Sequence, residues 1–382
     1  MGIVLLFAFL MAATYYLLID RCLMLWKQIP VAEVAEAFSP ATRISIVIPA
    51  RNEAENIAAC LNAIAAQNYP ANLLEVLVID DHSTDNTAAI AVQANLPQLR
   101  VISLADFLSP EEKKQASKKK ASSIGVEQAS GQLIVCTDAD CEMPANWLRY
   151  IAACAENQAT CFIAAPVLFH QEQNLIERFQ SLDFMGMMLV TGAGIQSRRF
   201  FLANGANMAY PREVFIHLGA YSDNIQHASG DDVFMIQKVA AVEPGKIRFL
   251  KSPHAVVLTK AKPDLHSFVQ QRLRWGTKNK GRQVGYSSWI LGFVFLYCWL
   301  ILGSVLALPW LGKAGLYFSA ILLVAKWLAD YRLLKEAARF FGRQDLMRFF
   351  WIGALFHLMY IAIIGLLSLV IKEYEWKGRR VV

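Results

Sequence analysis

Four short patches hold the residue types needed for group transfer, in a fixed order along the chain. Asp80-Asp81 closes LLEVLVIDD and Asp138-x-Asp140 closes QLIVCTDAD. Asp231-Asp232 sits in ASGDDVF, and Gln271-x-x-Arg274-Trp275 sits in QQRLRWGTK. Two carboxylates spaced by one residue at a strand end can converge on one hard cation. Mg2+ or Mn2+ shares oxygen ligands of this kind with phosphates. Asp138 and Asp140 are thus the candidate metal pair, and the cation would neutralise a departing diphosphate. A carboxylate near that leaving group can take the proton of an attacking hydroxyl, a general-base role open to Asp231-Asp232. Trp275 offers a flat face for a sugar, and Arg274 and Gln271 can hold a pyrophosphate. Each patch has a plain alternative. Acidic pairs end strands by chance, both Asp-Asp pairs could be helix caps, and Trp and Arg favour membrane surfaces.

The elements that must position these residues are legible around them. Ile44–Ile48, Leu74–Ile79, Arg100–Leu104 and Leu133–Thr137 read as strands. Asn56–Gln67, Ser83–Asn95 and Ser109–Gly131 read as the helices between them. This alternation predicts a parallel, doubly wound sheet. Open sheets of that kind bind ligands beyond the carboxyl ends of their strands. The first two acidic patches fall there. Arg51, Asn52 and Glu53 follow the first strand at the equivalent tip, as a solvated loop or as lining of the same crevice. Lys118-Lys119-Lys120 reads as a solvated face from which one lysine can approach phosphate. Farther on, Trp147–Glu156, Leu175–Val190, Pro211–Leu218 and Asp231–Val242 are expected helices. Cys161–Phe169, Lys246–Leu250 and Ala255–Thr259 are expected strands, and Gly192–Ser197 a flexible stretch. His227, His254 and His266 read as structural. His266–Trp275 is an amphipathic helix suited to a membrane surface.

Hydrophobic residues make up 55% of the 382 residues, above the roughly 45–50% of soluble chains, and the excess lies at the two ends. Gly2–Ile19 reads as an uncleaved anchor whose C-terminal end is cytoplasmic. Trp289–Leu308, Ala314–Leu328 and Phe349–Ile371 are further apolar segments, the second short and holding Lys326. Four crossings would place Lys372, Lys377, Arg379 and Arg380 outside. If Ala314–Leu328 only dips into the bilayer, Arg332, Lys335, Arg339, Arg343 and Arg348 are outside instead. The four-crossing reading is adopted. The formal charge of +6 sits largely beside apolar segments, which suits an anionic leaflet and not nucleic acid. Seven scattered cysteines without CxxC pairs fit a reduced compartment.

The ordered set VIPARNEAENI, VIDDHSTDNT, TDADC, NGANMAYPREVF, GDDVF and QRLRW resembles the membrane-bound family 2 glycosyltransferases. That family includes the synthases of cellulose, chitin, hyaluronan and poly-N-acetylglucosamine, and ceramide glucosyltransferase. The resemblance covers roughly Ile44 to Trp275. It implies an α/β GT-A fold, a doubly wound mixed sheet with N- and C-terminal transmembrane helices, and an inverting reaction. It implies that Asp80 and Asp81 hold the nucleotide beside Glu53, and that Asp138 and Asp140 meet the metal and the donor, a UDP-sugar. Asp232 is the implied base, and Gln271, Arg274 and Trp275 close over diphosphate and acceptor. Asn204–Asn207 is the implied loop near the donor sugar. Pro49, Arg51, Lys120, Asn207 and Asp231 complete the implied substrate-binding set. His82 departs from the family by standing where glycine is usual, and four membrane segments are few for a polymer channel. The implied partners are a nucleotide-sugar, a polysaccharide or lipid acceptor and the membrane, with no nucleic acid. An accessory membrane or export subunit is compatible with this. A non-processive glycolipid synthase is the nearest alternative. A polyprenyl-diphosphate enzyme and a non-catalytic membrane scaffold are more distant ones. The expected layout is an anchor at 1–27, a linker at 28–42, a cytoplasmic catalytic domain at 43–262, an interface helix at 263–285 and a membrane region at 286–382. The expected location is the plasma (inner) membrane.

Overall fold

The computed structural model describes residues 2–108, 118–157, 159–219, 230–277, 286–370, 374–376 and 379–381. The expected helix start at Ser109–Glu112, His227, Lys372 and Lys377 lie outside them. The chain divides into two compact units. One comprises Ile29–His170, Phe201–Lys260 and Glu375–Val382; the other comprises Met1–Gln28, Gln171–Phe200 and Ala261–Tyr374.

The first unit is built on a seven-stranded sheet ordered β3-β2-β1-β4-β7-β5-β8. Its strands are β1 (Ile44–Ala50), β2 (Leu74–Asp80), β3 (Leu99–Ser103), β4 (Leu133–Cys136), β5 (Phe162–Ala164), β7 (Met208–Pro211) and β8 (Ile247–Phe249). β1 pairs in parallel with β2 and β4, and β2 with β3. Residues Ile44–Ile48 and Val76–Ile79 are fully buried, as runs covered on both faces must be. The helices are α2 (Ile57–Ala65), α3 (Thr87–Gln93), α4 (Lys118–Gln128), α5 (Trp147–Asn157), α7 (Arg212–Leu218) and α8 (Asp231–Val242). α3 starts four residues later than expected. Asp85 Oδ1 accepts from the Thr87 amide at 3.0 Å and from Thr87 Oγ1 at 2.5 Å, so the polar run is spent in a turn. Between α4 and β4, Gly131 lies against β1, and its amide donates to Ser45 Oγ at 2.8 Å.

The second half of the sheet is mixed. β7 runs antiparallel to both β4 and β5. The sequence reading missed it because only four residues separate the NGAN loop from α7. The expected strand Cys161–Phe169 is two strands. Ala165-Pro166 breaks it, since proline cannot donate to a ladder. β6 (Val167–His170) then leaves the main sheet and pairs in parallel with β9 (Val257–Lys260).

The other unit is helical. α1 (Gly2–Gln28), α10 (Tyr286–Leu306), α11 (Leu308–Phe340) and α12 (Phe350–Val370) join α6 (Leu175–Ser197) and α9 (Leu265–Thr277). Among the described residues, four helices are long and apolar enough to cross a membrane: Gly2–Gln28, Ser288–Leu306, Leu308–Phe340 and Gln344–Ser368. The segment expected to be short, Ala314–Leu328, lies inside α11, which breaks at Gly312 (φ 54°) and then runs on to Phe340. Polar residues at 329–339 had masked its length. Lys326 is buried there, 2.5 Å from Asp330 one turn on. Tyr15 of α1 donates to Asp330 at 2.7 Å. Two further expectations change. Gly192–Ser197 is not a loop but the last turns of α6. A Cβ at Gly194 would lie 2.6 Å from the Phe200 ring and carbonyl oxygen, so glycine lets the chain turn back closely. α6 itself, expected within the catalytic domain, groups with the apolar helices.

Candidate active site

The carboxyl ends of β2, β1 and β4 lie side by side, and the loops beyond them carry the first acids. At the β1 tip, Arg51 does not reach outward with Nη1. That nitrogen donates to the carbonyls of Asp81 at 2.6 Å and His82 at 3.0 Å, which ties the β1 tip to the β2 tip. Asn52 Oδ1 accepts from the Thr84 amide at 2.9 Å, and the Glu53 amide donates to Thr87 Oγ1 at 2.7 Å. Pro49 is half-buried in β1, opposite Ile79.

Asp80 and Asp81 play different parts. Asp81 is buried, and its Oδ1 lies 3.0 Å from His82 Nδ1. Asp80 Oδ2 accepts from the Ser83 amide at 3.3 Å, but its buried Oδ1 has no hydrogen-bond partner among the described residues. A buried carboxylate oxygen left open at a strand tip is costly without a ligand. His82 has φ 55°, which explains why glycine is usual there: the turn needs the left-handed region.

At the β4 tip and around it, residues distant in sequence meet. Lys118 Nζ forms an ion pair with Asp138 Oδ1. Burial alone would lower the lysine's pKa, yet Asp138, Asp231 and Asp232 together hold it well above its ordinary value. Asp231 and Asp232 start α8 after Gly230, which has φ 99°. Both are buried. Asp232 Oδ1 accepts from the Val233 amide at 2.8 Å, and its Oδ2 accepts from the Gly205 amide at 3.3 Å. Ser122 Oγ stands 3.5 Å from Asp231 Oδ2. Gly205 faces this cluster: a Cβ there would lie 3.3 Å from Lys118 Nζ and 3.5 Å from Asp231 Oδ2. The basic run is therefore not a solvated face. Lys118 joins the acids, Lys119 is buried 4.2 Å from the Phe234 ring centroid, and Lys120 is half-buried. Lys118, which sequence reasoning passed over for Lys120, is the lysine found among the carboxylates. Spacing gave no signal for it, because the three lysines differ only by their phase on α4.

Asp140 lies beside Cys141, with Sγ 3.7 Å from its Oδ1. Burial pushes the thiols of Cys60 and Cys141 up, and both carboxylates, Asp140 and then Asp138, push them further. The two acids thus bear on the same buried thiols. Among the described residues no group of three or more His, Cys, Asp or Glu side chains encloses a metal. The two carboxylates of Asp138 and Asp140 match the share that Mg2+ or Mn2+ takes from a protein when a diphosphate supplies the rest. They are the residues that would hold the ion.

Asn207 is not at this site. Its amide is fully buried and spent internally: Oδ1 accepts from Trp147 Nε1 at 2.9 Å, and Nδ2 donates to the carbonyls of Pro166 at 2.7 Å and Ala255 at 2.8 Å. It pins the point where β6 leaves the sheet. Gln271, Arg274 and Trp275 belong to the helical unit, all half-buried on α9. Gln271 Oε1 is buried without a hydrogen-bond partner among the described residues.

The chain matches the Glycosyl transferase family 2 model over residues 45–219 and the Glycosyl transferase family group 2 model over residues 133–371. The chain belongs to glycosyltransferase family 2. Its sheet is the mixed sheet of the GT-A fold, with strands β1 to β4 parallel. Among curated relatives, glycosyltransferase AglE of Haloferax volcanii is 30% identical over 192 residues, 50% of this chain and 59% of that protein. The probable glycosyltransferase YdaM of Bacillus subtilis is 24% identical over 272 residues, 70% of this chain and 60% of that protein. The chain thus spans about three fifths of the length of these relatives. Among solved structures, mannosyltransferase PcManGT from Pyrobaculum calidifontis, in complex with GDP-Man and Mn2+, is similar with a TM-score of 0.49, 20% identity and 96% coverage of each chain.

Proposed function

We propose that this family 2 member is an inverting glycosyltransferase that moves a sugar from a nucleotide-diphospho-sugar, with UDP the favoured nucleotide, to a polysaccharide or lipid acceptor at the cytoplasmic face of the membrane. One observation carries the reading: acids far apart in the chain meet around Lys118 and Gly205, since Lys118 Nζ pairs with Asp138 Oδ1, the Gly205 amide donates to Asp232 Oδ2 at 3.3 Å, and a Cβ on Gly205 would lie 3.3 Å from Lys118 Nζ and 3.5 Å from Asp231 Oδ2. A surplus of carboxylates over cations suits a divalent ion, whose remaining coordination a diphosphate can fill. Asp232 takes the proton of the acceptor hydroxyl as that oxygen attacks the anomeric carbon and the nucleoside diphosphate leaves on the opposite side. Its two oxygens are already fixed by the amides of Gly205 and Val233, so the base is aimed before the acceptor arrives. Asp80, with one oxygen open, accepts a hydrogen bond from the base or ribose. A divalent cation held by Asp138 and Asp140 would supply charge neutralisation on the leaving diphosphate. Trp275 stacks on a sugar, and Arg274 and Gln271 meet the diphosphate.

The test uses membranes containing the full chain, a panel of labelled nucleotide-sugars, and separation of lipid from polymer products. Transfer to either fraction supports the reading. Absence of transfer and of nucleotide-sugar hydrolysis across the panel sinks it and favours a scaffold. A single-sugar lipid product would identify a glycolipid synthase, to which four candidate spans are better matched than to a polymer channel.

A further inference from the structure

Within the helical unit, α9 places Phe268, Arg272 and Trp275 along one face, at i, i+4 and i+7. Arg272 is the first of the two residues that the QxxRW motif leaves unspecified. It is only 2% exposed. Its Nη2 lies 3.0 Å from Asp183 Oδ2 of α6. That contact is an ion pair, and Nε, Nη1 and Nη2 all lack a hydrogen-bond partner among the described residues. Aromatic rings take that place: the guanidinium lies 4.2 Å from the Trp275 ring centroid, 5.0 Å from that of Phe268 and 5.7 Å from that of Tyr360. Phe184, next to Asp183, holds the Trp275 ring with centroids 5.9 Å apart.

The pair is backed by a line of polar groups, of which Lys326 and Tyr15 are buried and His357 and Asp330 half-buried. Asp183 Oδ1 is 3.7 Å from His357 Nε2 of α12, and His357 Nδ1 is 3.4 Å from Lys326 Nζ of α11. Lys326 in turn pairs with Asp330, which accepts from Tyr15 of α1. Ionisable groups inside candidate membrane spans are costly and call for a role. Cohesion is a poor one, because apolar residues of similar volume often do as well as a buried ion pair. Apolar residues would not supply direction. A planar guanidinium fixed by one carboxylate sets both the distance and the tilt of a ring stacked on it.

We infer that Arg272 and Asp183 are positioning residues for Trp275, holding its ring at the orientation sugar transfer requires without touching the substrate themselves. The inference rests on the reading of Trp275 as a stacking ring. The experiment uses the full chain in detergent, labelled with 5-fluorotryptophan. Trp275→Phe assigns the Trp275 fluorine resonance among nine tryptophans. The double variant Asp183→Leu/Arg272→Met is expected to keep the wild-type melting temperature and to shift or broaden that resonance. It should lower kcat for whichever of UDP-glucose, UDP-N-acetylglucosamine or GDP-mannose is turned over by about 10²-fold, as a displaced group does, with donor KM within about threefold. Arg272→Lys, which keeps the charge and loses the fork, is expected to fall between. An unmoved resonance in the double variant overturns the inference, as does a moved resonance with unchanged kcat. If the double variant loses its melting transition, Asp183→Asn and Arg272→Lys are read by the same two measurements. If Trp275→Phe leaves turnover unchanged, the stacking role of Trp275 fails separately. The resonance still decides whether the pair holds the ring.

Discussion

Asp232 and Asp231 are neighbours in sequence, and Asp232 has both oxygens bound by backbone amides. A base removed from this position should cost rate and not affinity. Asp232→Asn is expected to lower transfer by about 10²–10⁴-fold while UDP affinity, measured by calorimetry, stays within a few-fold; equal loss of both would reject the base role. His82 gives a second test. At φ 55° a β-branched side chain clashes with the following carbonyl. His82→Val should therefore unfold more easily than His82→Gly by about 1–2 kcal/mol, read by thermal melts of the two variants. The sequence showed His82 as a departure from its family, and the dihedral supplies the reason. It could not show that Asn207 is spent on Trp147 and two carbonyls, because a buried amide and a ligand-binding amide look alike in text.

At the level of elements, close approach between backbone segments decides what can change. A Cβ at Gly131 would meet the Ser45 amide nitrogen at 2.5 Å and the Ile44 carbonyl carbon at 2.8 Å. Those atoms belong to β1 and cannot retreat without breaking a central ladder. Gly131→Ala should destabilise the protein by about 1–3 kcal/mol, measured as a lowered denaturation midpoint. The same edge of the sheet predicts acid sensitivity. Burial would raise the Glu75 pKa, but bonds from the Ser130 amide at 2.8 Å, from the Ser45 and Ser130 hydroxyls and from Arg100 outweigh it and hold the carboxyl below its ordinary value. The unfolded chain therefore takes up this proton first. The stabilisation is present above about pH 4.3, the ordinary value for glutamate, and is lost as pH falls through the lower folded value. In Glu75→Gln the melting temperature should vary less over that acid range; an unchanged slope would exclude Glu75 as a source. Strands β1 to β4 and helix α8 were legible because their periodicity and flanking turn residues agree. β7 and the β5/β6 break were not, because short strands are defined by partners far away in sequence.

At the scale of the molecule, composition foretold apolar helices at both ends, and four helices of sufficient length are present among the described residues. Composition did not foretell that α6 belongs with them. Its longest apolar run, Phe184–Val190, is too short for a span, and its affiliation comes from packing on α1 and α11, with Asp183, Phe184 and Phe179 adding contacts to α9 and α12. Removal of residues 286–382 should leave a protein that aggregates unless detergent is present, as light scattering would show. A well-dispersed product would contradict this assignment.

That interruption by α6 has a practical reach. The chain leaves the sheet at β6, builds a helix of the other unit, and returns at Phe201 before laying down β7, the strand beside β4. The half of the sheet carrying Asp138 cannot be completed until that detour has been made. During synthesis the sheet must therefore wait for a helix that belongs to the other unit, so that a ribosome stalled before residue 200 would present the loops of Asp80 and Asp138 on an unfinished sheet.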